Sequence, residues 1–255
     1  MSRKAEARKG QIAVPYLGGD LAAQRTQRTL EVLAQRLGLL GVLADPSMSI
    51  AEIVALQGVG GNAYKPLRVL LPEGTWSFGA AGVTVARDNV HFEAVGNGYT
   101  VFQRTVVAVS APLITFTGAG CRLVGVRISD AASDQPAVLF QNRHGTIASC
   151  RFEDCWRALR MTGASASHVR DNRILVQRDT TYQMHFFSGS HYVVVGNTSF
   201  STVGLTVIRA DDVVVLSTFT ANTCHGASVT YVLDYKTTGA TLNAQAGNVG
   251  TVNAR

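Results

Sequence analysis

The sequence is poor in charged, aromatic and cysteine residues, and it contains no long apolar run. Only 16% of its 255 residues are charged, against about 25% in a typical soluble domain. Because 46% are hydrophobic, the composition argues for a folded chain rather than a disordered one. Aromatic residues make up 7%, so we expect a mainly aliphatic core. No apolar run approaches the roughly 18 residues of a transmembrane helix, and we expect no membrane partner.

The cysteines show neither a metal-binding nor a disulfide pattern. They are Cys121, Cys150, Cys155 and Cys224. No two have the CxxC spacing, and no histidine stands at zinc-ligand distance from a pair. We therefore expect reduced, mostly buried thiols, no metal site and no cofactor. The first residues are charged without an apolar segment behind them, which predicts that no signal peptide is present and that synthesis is cytoplasmic.

Basic residues outnumber acidic ones. The chain has 23 Lys and Arg residues against 17 Asp and Glu, a net charge of +6, and all but four of the basic residues are arginines. Arginine favours fixed, planar contacts with carboxylates. This balance permits binding of a nucleic acid or of an acidic partner but demonstrates neither, and we do not expect a nucleic-acid partner.

Residues 1–45 are predicted to form a basic helical arm. After Asp20, a good N-cap residue type, leucines follow at 3-4-3 spacing, and Asp45-Pro46 closes the pattern. The seam leucines are Leu30, Leu33, Leu37 and Leu40. The basic residues of the arm include Arg3, Lys4, Arg8 and Lys9. Either this helix packs on the end of the next domain, with a solvated charged face, or it forms an oligomer seam or an anchor to an acidic surface.

An internal repeat begins further along the chain. Five stretches share an apolar first residue, small or polar residues in the middle, and an apolar last residue. They are Leu123–Ile128, Ile147–Phe152, Val169–Ile174, Val194–Phe200 and Val214–Phe219. Their first residues are 24, 22, 25 and 20 positions apart, and Val90–Val95 is a sixth candidate. Such even spacing predicts a solenoid, with one rung for each repeat.

The repeat also predicts a corner within each rung. The first and last residues of a straight six-residue strand point to opposite faces. Since both are apolar here, the chain must bend between them, at positions occupied by Gly125, Asp171, Asn172, Gly196 and Asn197. Gly, Asn and Asp tolerate the left-handed backbone of a tight corner. Asn172 and Asn197 occupy the same corner in adjacent rungs, which predicts an amide ladder between them.

These repeats resemble the right-handed parallel β-helix of the pectate-lyase-like superfamily, and most of all its phage spike, fibre and decoration proteins. The resemblance covers about residues 50–235 and is carried by Asp171–Ile174, Gly196–Phe200 and the opening segment Val69–Phe78. It implies an all-β solenoid with an amphipathic helix at its end. A β-sandwich is the alternative fold, but the even rung spacing favours the solenoid. The superfamily contains lyases, glycosidases, adhesins and inert spikes, so the resemblance predicts fold better than function.

The sequence shows no convergent catalytic set. Glycosidases need paired carboxylates at a defined separation, but Glu153-Asp154 and Asp211-Asp212 are adjacent in sequence, and neighbours on a strand face opposite ways. Asp130 and Asp134 lie in a loop with no basic partner at fixed spacing. We therefore assign no catalytic residue.

Three arginines occupy position five of successive repeats: Arg127, Arg151 and Arg173. Stacking would bring them to about the 5 Å separation of neighbouring strands. A column of like charges is unfavourable unless anions meet it. The column is either solvated and locally paired, or it contacts another subunit or a glycan.

Three functional classes remain: a virion component, a polysaccharide-degrading enzyme and a non-viral binding module. We favour a non-enzymatic phage structural protein such as a tail spike, head fibre or decoration protein. It would be assembled in the host cytoplasm as a homotrimer. Its expected partners are other virion proteins, of the capsid or tail, and a host-surface glycan. The expected organisation is an anchor over 1–45, a β-helix over 46–235 and a small-residue tail over 236–255. The alternative is a lyase or glycoside hydrolase of the tailspike depolymerase type.

Overall fold

The protein is an all-β parallel β-helix, as the repeat predicts. The computed structural model describes residues 41–43, 67–95, 99–104, 109–131, 133–177, 182–200, 206–211, 214–225, 231–235, 244–249 and 252–254. Most of the predicted helical arm lies outside these residues. Its last described part, Gly41–Leu43, is a strand rather than the end of a helix.

The strands form three sheets along the solenoid. The first sheet contains β1 (Gly41–Leu43), β2 (Leu67–Leu71), β5 (Val90–Ala94), β8 (Arg122–Val124), β11 (Thr146–Ala148), β14 (His168–Arg170), β17 (Val193–Val195), β21 (Thr218–Thr220) and β24 (Ala244–Ala246). The second contains β3 (Gly74–Phe78), β6 (Thr100–Arg104), β9 (Arg127–Ser129), β12 (Arg151–Cys155), β15 (Arg173–Gln177), β18 (Thr198–Phe200) and β22 (Thr223–His225). The third contains β4 (Val83–Val85), β7 (Ile114–Phe116), β10 (Pro136–Phe140), β13 (Arg157–Thr162), β16 (Tyr182–Ser190), β19 (Thr206–Ala210), β20 (Val214–Val215), β23 (Tyr231–Tyr235) and β25 (Val252–Ala254).

Every pairing between these described strands is parallel. This excludes the β-sandwich alternative, whose sheets are antiparallel. Strands β24 and β25 extend the first and third sheets beyond residue 235, into the segment expected to be a tail.

The register follows the predicted repeat, with two corrections. The predicted first residues that pair in adjacent strands of the first sheet are Leu123, Ile147, Val169 and Val194. The residue that follows them in this column is Phe219, not Val214, and the one before them is Phe92, not Val90. The predicted frame of those two stretches is wrong because all four residues are apolar, so apolarity alone does not fix the register.

A column of left-handed residues forms the corner between the first and second sheets. Its members are Gly125, Ser149, Asp171, Gly196, Ala221 and Gly247, all with positive φ. The predicted corner is therefore confirmed at Gly125, Asp171 and Gly196. A Cβ at Gly196 would lie 2.7 Å from Asp171 Oδ1, so both backbone conformation and space favour glycine there.

A second left-handed column stands where each rung enters the first sheet. It consists of Asn89, Gly120, His144, Ala166, His191 and Leu216. His144 and His191 are thus turn residues.

The core runs along the solenoid between the three sheets. All the phenylalanines except Phe187 and Phe200 are buried. The rings of Phe116 and Phe140 stack with centroids 4.5 Å apart, and Phe92 follows at 6.2 Å from Phe116. The phenylalanines are therefore concentrated in the interior, where each ring buries a large apolar area.

A ladder of asparagines, buried at all but its last member, runs beside the first corner. Its members are Asn172, Asn197, Asn222 and Asn248, one in each rung. Each amide nitrogen donates to the Oδ1 of the next member at 2.9–3.0 Å. The predicted bond between Asn172 and Asn197 is confirmed. The predicted corner position of Asn172 and Asn197 is corrected by one residue: each stands directly after the left-handed residue. Their side chains point inward.

His91 couples the stability of this fold to pH. It is 6% exposed and lies between Arg68 and Arg122 of the neighbouring strands, and Arg68 pairs with Glu93. Burial, followed by the charges of Arg122 and Arg68, lowers the pKa of His91 to about 4.

We expect acid to destabilise the protein through His91. Because the folded pKa lies below the unfolded value, the unfolded state binds the extra proton between pH 6.5 and 4, and stability falls as pH falls through that window. The loss at pH 5 relative to pH 7.5 is about 2 kcal/mol. Urea unfolding of wild type and His91→Gln should show this pH dependence only in wild type. Parallel profiles would contradict it.

Candidate functional site

The predicted anchor residues lie outside the described part of the chain. They are Arg3, Lys4, Arg8, Lys9, Leu30, Leu33, Leu37 and Leu40. Their role as an anchor or an oligomer seam stays a prediction.

The predicted arginine column exists on the outer face of the second sheet. Arg127 pairs in register with Arg151, and Arg151 with Arg173. Glu153 forms ion pairs with both Arg127 and Arg151. These arginine side chains are about half exposed, so each pair contributes at most about 1 kcal/mol. The guanidinium of Arg173 instead lies over the Phe200 ring, 4.9 Å from its centroid.

A second surface of mixed chemistry lies on the outer face of the third sheet. We call it the third-sheet surface, and it consists of Arg157, Arg160, Tyr182, His185, Phe187, Arg209, Asp211 and Asp234. Strand register places Arg160, His185, Arg209 and Asp234 beside one another on β13, β16, β19 and β23. Neighbouring strands in a sheet are about 4.8 Å apart, so these four side chains form a continuous row.

A bend in the third sheet widens this surface. Gln183 and Met184 are consecutive and both buried, which interrupts the inward–outward alternation of β16. Tyr182 and His185 therefore share the outer face although they are three residues apart, and their ring centroids are 4.4 Å apart. The same pair of buried residues recurs on the adjacent strand at Val207-Ile208.

Guanidinium groups stack on the aromatic rings at one side of the third-sheet surface. Arg157 lies 4.2 Å from the centroid of the Tyr182 ring, and Arg160 lies 4.8 Å from that of Phe187. The Phe187 side chain is 42% exposed, one of the few large apolar residues in the described chain that face solvent. Stacking of this kind contributes about 0.5–1 kcal/mol at an exposed site.

The other side of the third-sheet surface is a chain of ionic hydrogen bonds. His185 Nε2 donates to Asp211 Oδ2 at 2.9 Å, and Arg209 Nε donates to Asp211 Oδ1 at 3.0 Å. Arg209 also donates through Nη1 to Asp234. One arginine thus joins carboxylates from two rungs.

The pKa values of His185 and Asp211 determine the charge states of these two groups. Burial lowers the pKa of His185, against the opposing effect of Asp211, so the ring is neutral at pH 7. Burial would raise the pKa of Asp211, but the hydrogen bonds from His185 and Arg209 lower it below its usual value. Asp211 is therefore ionised, and it is a poor general acid, because that role requires a raised pKa.

Sequence reasoning missed this surface because its members are far apart in the chain. His185, Arg209 and Asp234 are separated by about one rung, the same interval that relates the repeats. Applying that period to polar residues, rather than only to apolar ones, would have placed them together. Asp130 was also misread: it does have a basic partner, because Arg104 Nε lies 3.5 Å from Asp130 Oδ1 in the interior.

The remaining sequence predictions concern thiols, metals and membranes. The four cysteines are free, and all but Cys224 are buried. Burial raises the pKa of Cys121 to about 11 and that of Cys150 to about 12, so these thiols are protonated and unreactive at neutral pH. In the described chain, no helix is both long and apolar enough to span a bilayer. Its His, Cys, Asp and Glu residues form no group of three or more suited to a metal ion.

Two solved structures of low similarity are among those that match the chain. The chain is similar to ORF18 of Geobacillus virus E2, with 11% identity and a TM-score of 0.31, over 85% of this chain and 63% of that one. It is also similar to the Dettilon tailspike protein gp208, with 11% identity and a TM-score of 0.30, over 89% of this chain and 69% of that one. No family model and no curated protein matches it. The strand pairing itself establishes the parallel β-helix.

Proposed function

We propose that this chain is a non-enzymatic structural protein of a bacteriophage virion: a spike, fibre or head-decoration protein that displays a β-helix for assembly or host-surface binding. The observation that carries the proposal is the uninterrupted parallel stack from β2 to β24, with its buried asparagine ladder. Continuous hydrogen bonding along the stacking direction makes a rigid support that presents polar outer faces.

The ion pairs of the acidic side chains support a structural role. Glu153 bridges two arginines, while Asp211 and Asp234 share Arg209. The pairs Arg127–Glu153 and Arg209–Asp234 each join residues about one rung apart in sequence, so they hold adjacent rungs together.

The predicted N-terminal arm provides the attachment in this proposal. Its basic residues Arg3, Lys4, Arg8 and Lys9 would contact an acidic surface of a capsid or tail protein, and its leucine seam would join three copies. A trimer is the expected state.

Two measurements test this proposal. Mass spectrometry of purified particles of the encoding phage should find the chain in constant ratio to a capsid or tail protein. Sedimentation of the full chain should give a trimer, and Leu33→Glu with Leu37→Glu should dissociate it if the seam forms the contact. Absence from the particles together with a monomeric full chain would overturn the proposal.

The third-sheet surface also favours a second candidate, a polysaccharide lyase or glycoside hydrolase. It brings two carboxylates, a histidine and an arginine to one face. A screen of polysaccharides for loss of viscosity, with wild type and Asp211→Asn, separates the candidates. Cleavage abolished in Asp211→Asn would establish the enzyme.

A further inference from the structure

We propose that the third-sheet surface binds a carboxylated polysaccharide, with one pyranose ring against Phe187 and its carboxylate on Arg160. This inference rests on the proposed function, in which the outer faces of the β-helix are displayed to a host surface. It adds the chemical class of the ligand and the residues that contact it.

The exposed Phe187 ring provides the apolar part of the site. Although every other described phenylalanine except Phe200 is buried, the Phe187 side chain is 42% exposed on the outer face of β16. His185 stands edge-on to it, with centroids 5.6 Å apart, which restricts the orientation of the ring. A pyranose ring presents a face of C–H groups that packs on such a surface and places its polar substituents at the edge of the aromatic ring.

Arg160 provides the charged part. Its guanidinium carbon is 4.8 Å from the Phe187 centroid, so a sugar on Phe187 lies beside it. Within the described chain, Arg160 has no ion-pair partner, and its Nε is buried without a hydrogen-bond partner. A guanidinium packed against an aromatic ring keeps N–H groups at its edge, where they bind a carboxylate in the same plane.

The carboxylates of the third-sheet surface itself do not pair with Arg160. Asp211 accepts from His185 and Arg209, and Asp234 accepts from Arg209. Arg209 thus engages both carboxylates, whereas no described carboxylate forms an ion pair with Arg160. This charge complementarity favours an anionic sugar over a neutral one.

The neighbouring sheet supplies a matched control. Arg173 lies over Phe200 at 4.9 Å, almost the distance of Arg160 over Phe187, but on the arginine column of the second sheet. Phe200 is half-buried and Phe187 is exposed. Arg173→Gln and Arg160→Gln thus remove the same charge from similar ring contacts on two different faces.

The experiment is calorimetric titration of the full chain with polygalacturonate and polysialic acid, with neutral dextran for comparison. We expect binding of at least one acidic polymer and none of dextran. Arg160→Gln should weaken it about tenfold or more, the effect of losing a charge-assisted hydrogen bond. Phe187→Ala should weaken it several-fold, Arg173→Gln less than twofold, and 0.5 M NaCl should weaken it in wild type.

Three affinity results would overturn the inference. These are no binding of either acidic polymer by wild type, unchanged affinity in Arg160→Gln, and an equal or larger loss in Arg173→Gln, which would place the site on the arginine column. Thermal melts of each variant confirm folding. If Phe187→Ala dissociates an oligomer in sedimentation, the occupant of this surface is a second copy, and the inference fails. None of these outcomes depends on whether the chain is found in phage particles.

Discussion

Replacing Asp130 with alanine should lower the free energy of unfolding by about 3–5 kcal/mol, the cost of leaving a buried charge without its partner. The side chains of Arg104 and Asp130 are 0% and 1% exposed, and the guanidinium also donates from Nη1 to the carbonyl of Ala111 at 2.8 Å. Burial lowers the pKa of Arg104 and Asp130 opposes that effect, but arginine still stays charged in the interior. Urea unfolding at pH 7 measures the loss.

A double replacement separates the contribution of the buried charges to stability from that of side-chain packing. Arg104→Met with Asp130→Leu removes both charges and keeps apolar volume, and it should restore stability to within about 1 kcal/mol of wild type or exceed it. The control is Arg151→Met, which breaks a half-exposed ion pair with Glu153 and should cost less than about 1 kcal/mol. Equal losses in Asp130→Ala and Arg151→Met would contradict the assignment of a buried pair.

The fold could be predicted because the period of the solenoid is visible as a repeat in the sequence. Each rung repeats the same inward apolar positions and the same left-handed corner, so Gly125, Asp171 and Gly196 recur at the interval that defines a coil. The register could not be fixed where a stretch has more than one buried apolar residue, as at Val214 and Phe219, because both are buried and apolarity does not distinguish them.

The surface chemistry was harder to predict because outward positions are free to vary. The arginine column was found because all three arginines occupy one position of the repeat, next to a recognisable apolar residue. His185, Arg209 and Asp234 differ in type from rung to rung, so they form no pattern. Their association follows only from register. The exposure of Phe187 likewise depends on the bend at Gln183-Met184, which composition and alternation do not indicate.

Two members of the asparagine ladder were also not predicted, because their positions depend on the register. Asn222 and Asn248 extend the ladder that Asn172 and Asn197 begin. They follow Ala221 and Gly247, so their corner is the same as that of Asn197, which follows Gly196. The incorrect frame at Val214 hid Asn222, and the expectation of a tail hid Asn248. A correct frame for the fifth rung would have predicted Asn222, and continuing the repeat beyond residue 235 would have predicted Asn248.

Replacing Asn197 with alanine should remove about 2–4 kcal/mol of stability, because it interrupts the ladder in the middle. Asn197 Oδ1 accepts from both the backbone N–H and the side-chain amide of Asn172, and its own amide donates to Asn222 and to the carbonyl of Val169. Alanine supplies none of these bonds, and the buried groups that remain unsatisfied each cost about 1 kcal/mol or more. Chemical unfolding of the full chain, monitored by circular dichroism, measures the effect.

Asn142→Ala is the matched control for this prediction. Asn142 also donates its amide to a carbonyl of the preceding rung, that of Thr117, at 3.0 Å, but it is half-buried and makes no bond to another asparagine. Because water replaces its lost bonds, we expect a loss below about 1 kcal/mol. The contrast tests whether the ladder acts as a buried network rather than as a set of independent bonds. If Asn197→Ala costs no more than Asn142→Ala, the ladder does not stabilise the stack, and the rigidity on which the proposed display function depends must come from the apolar core alone.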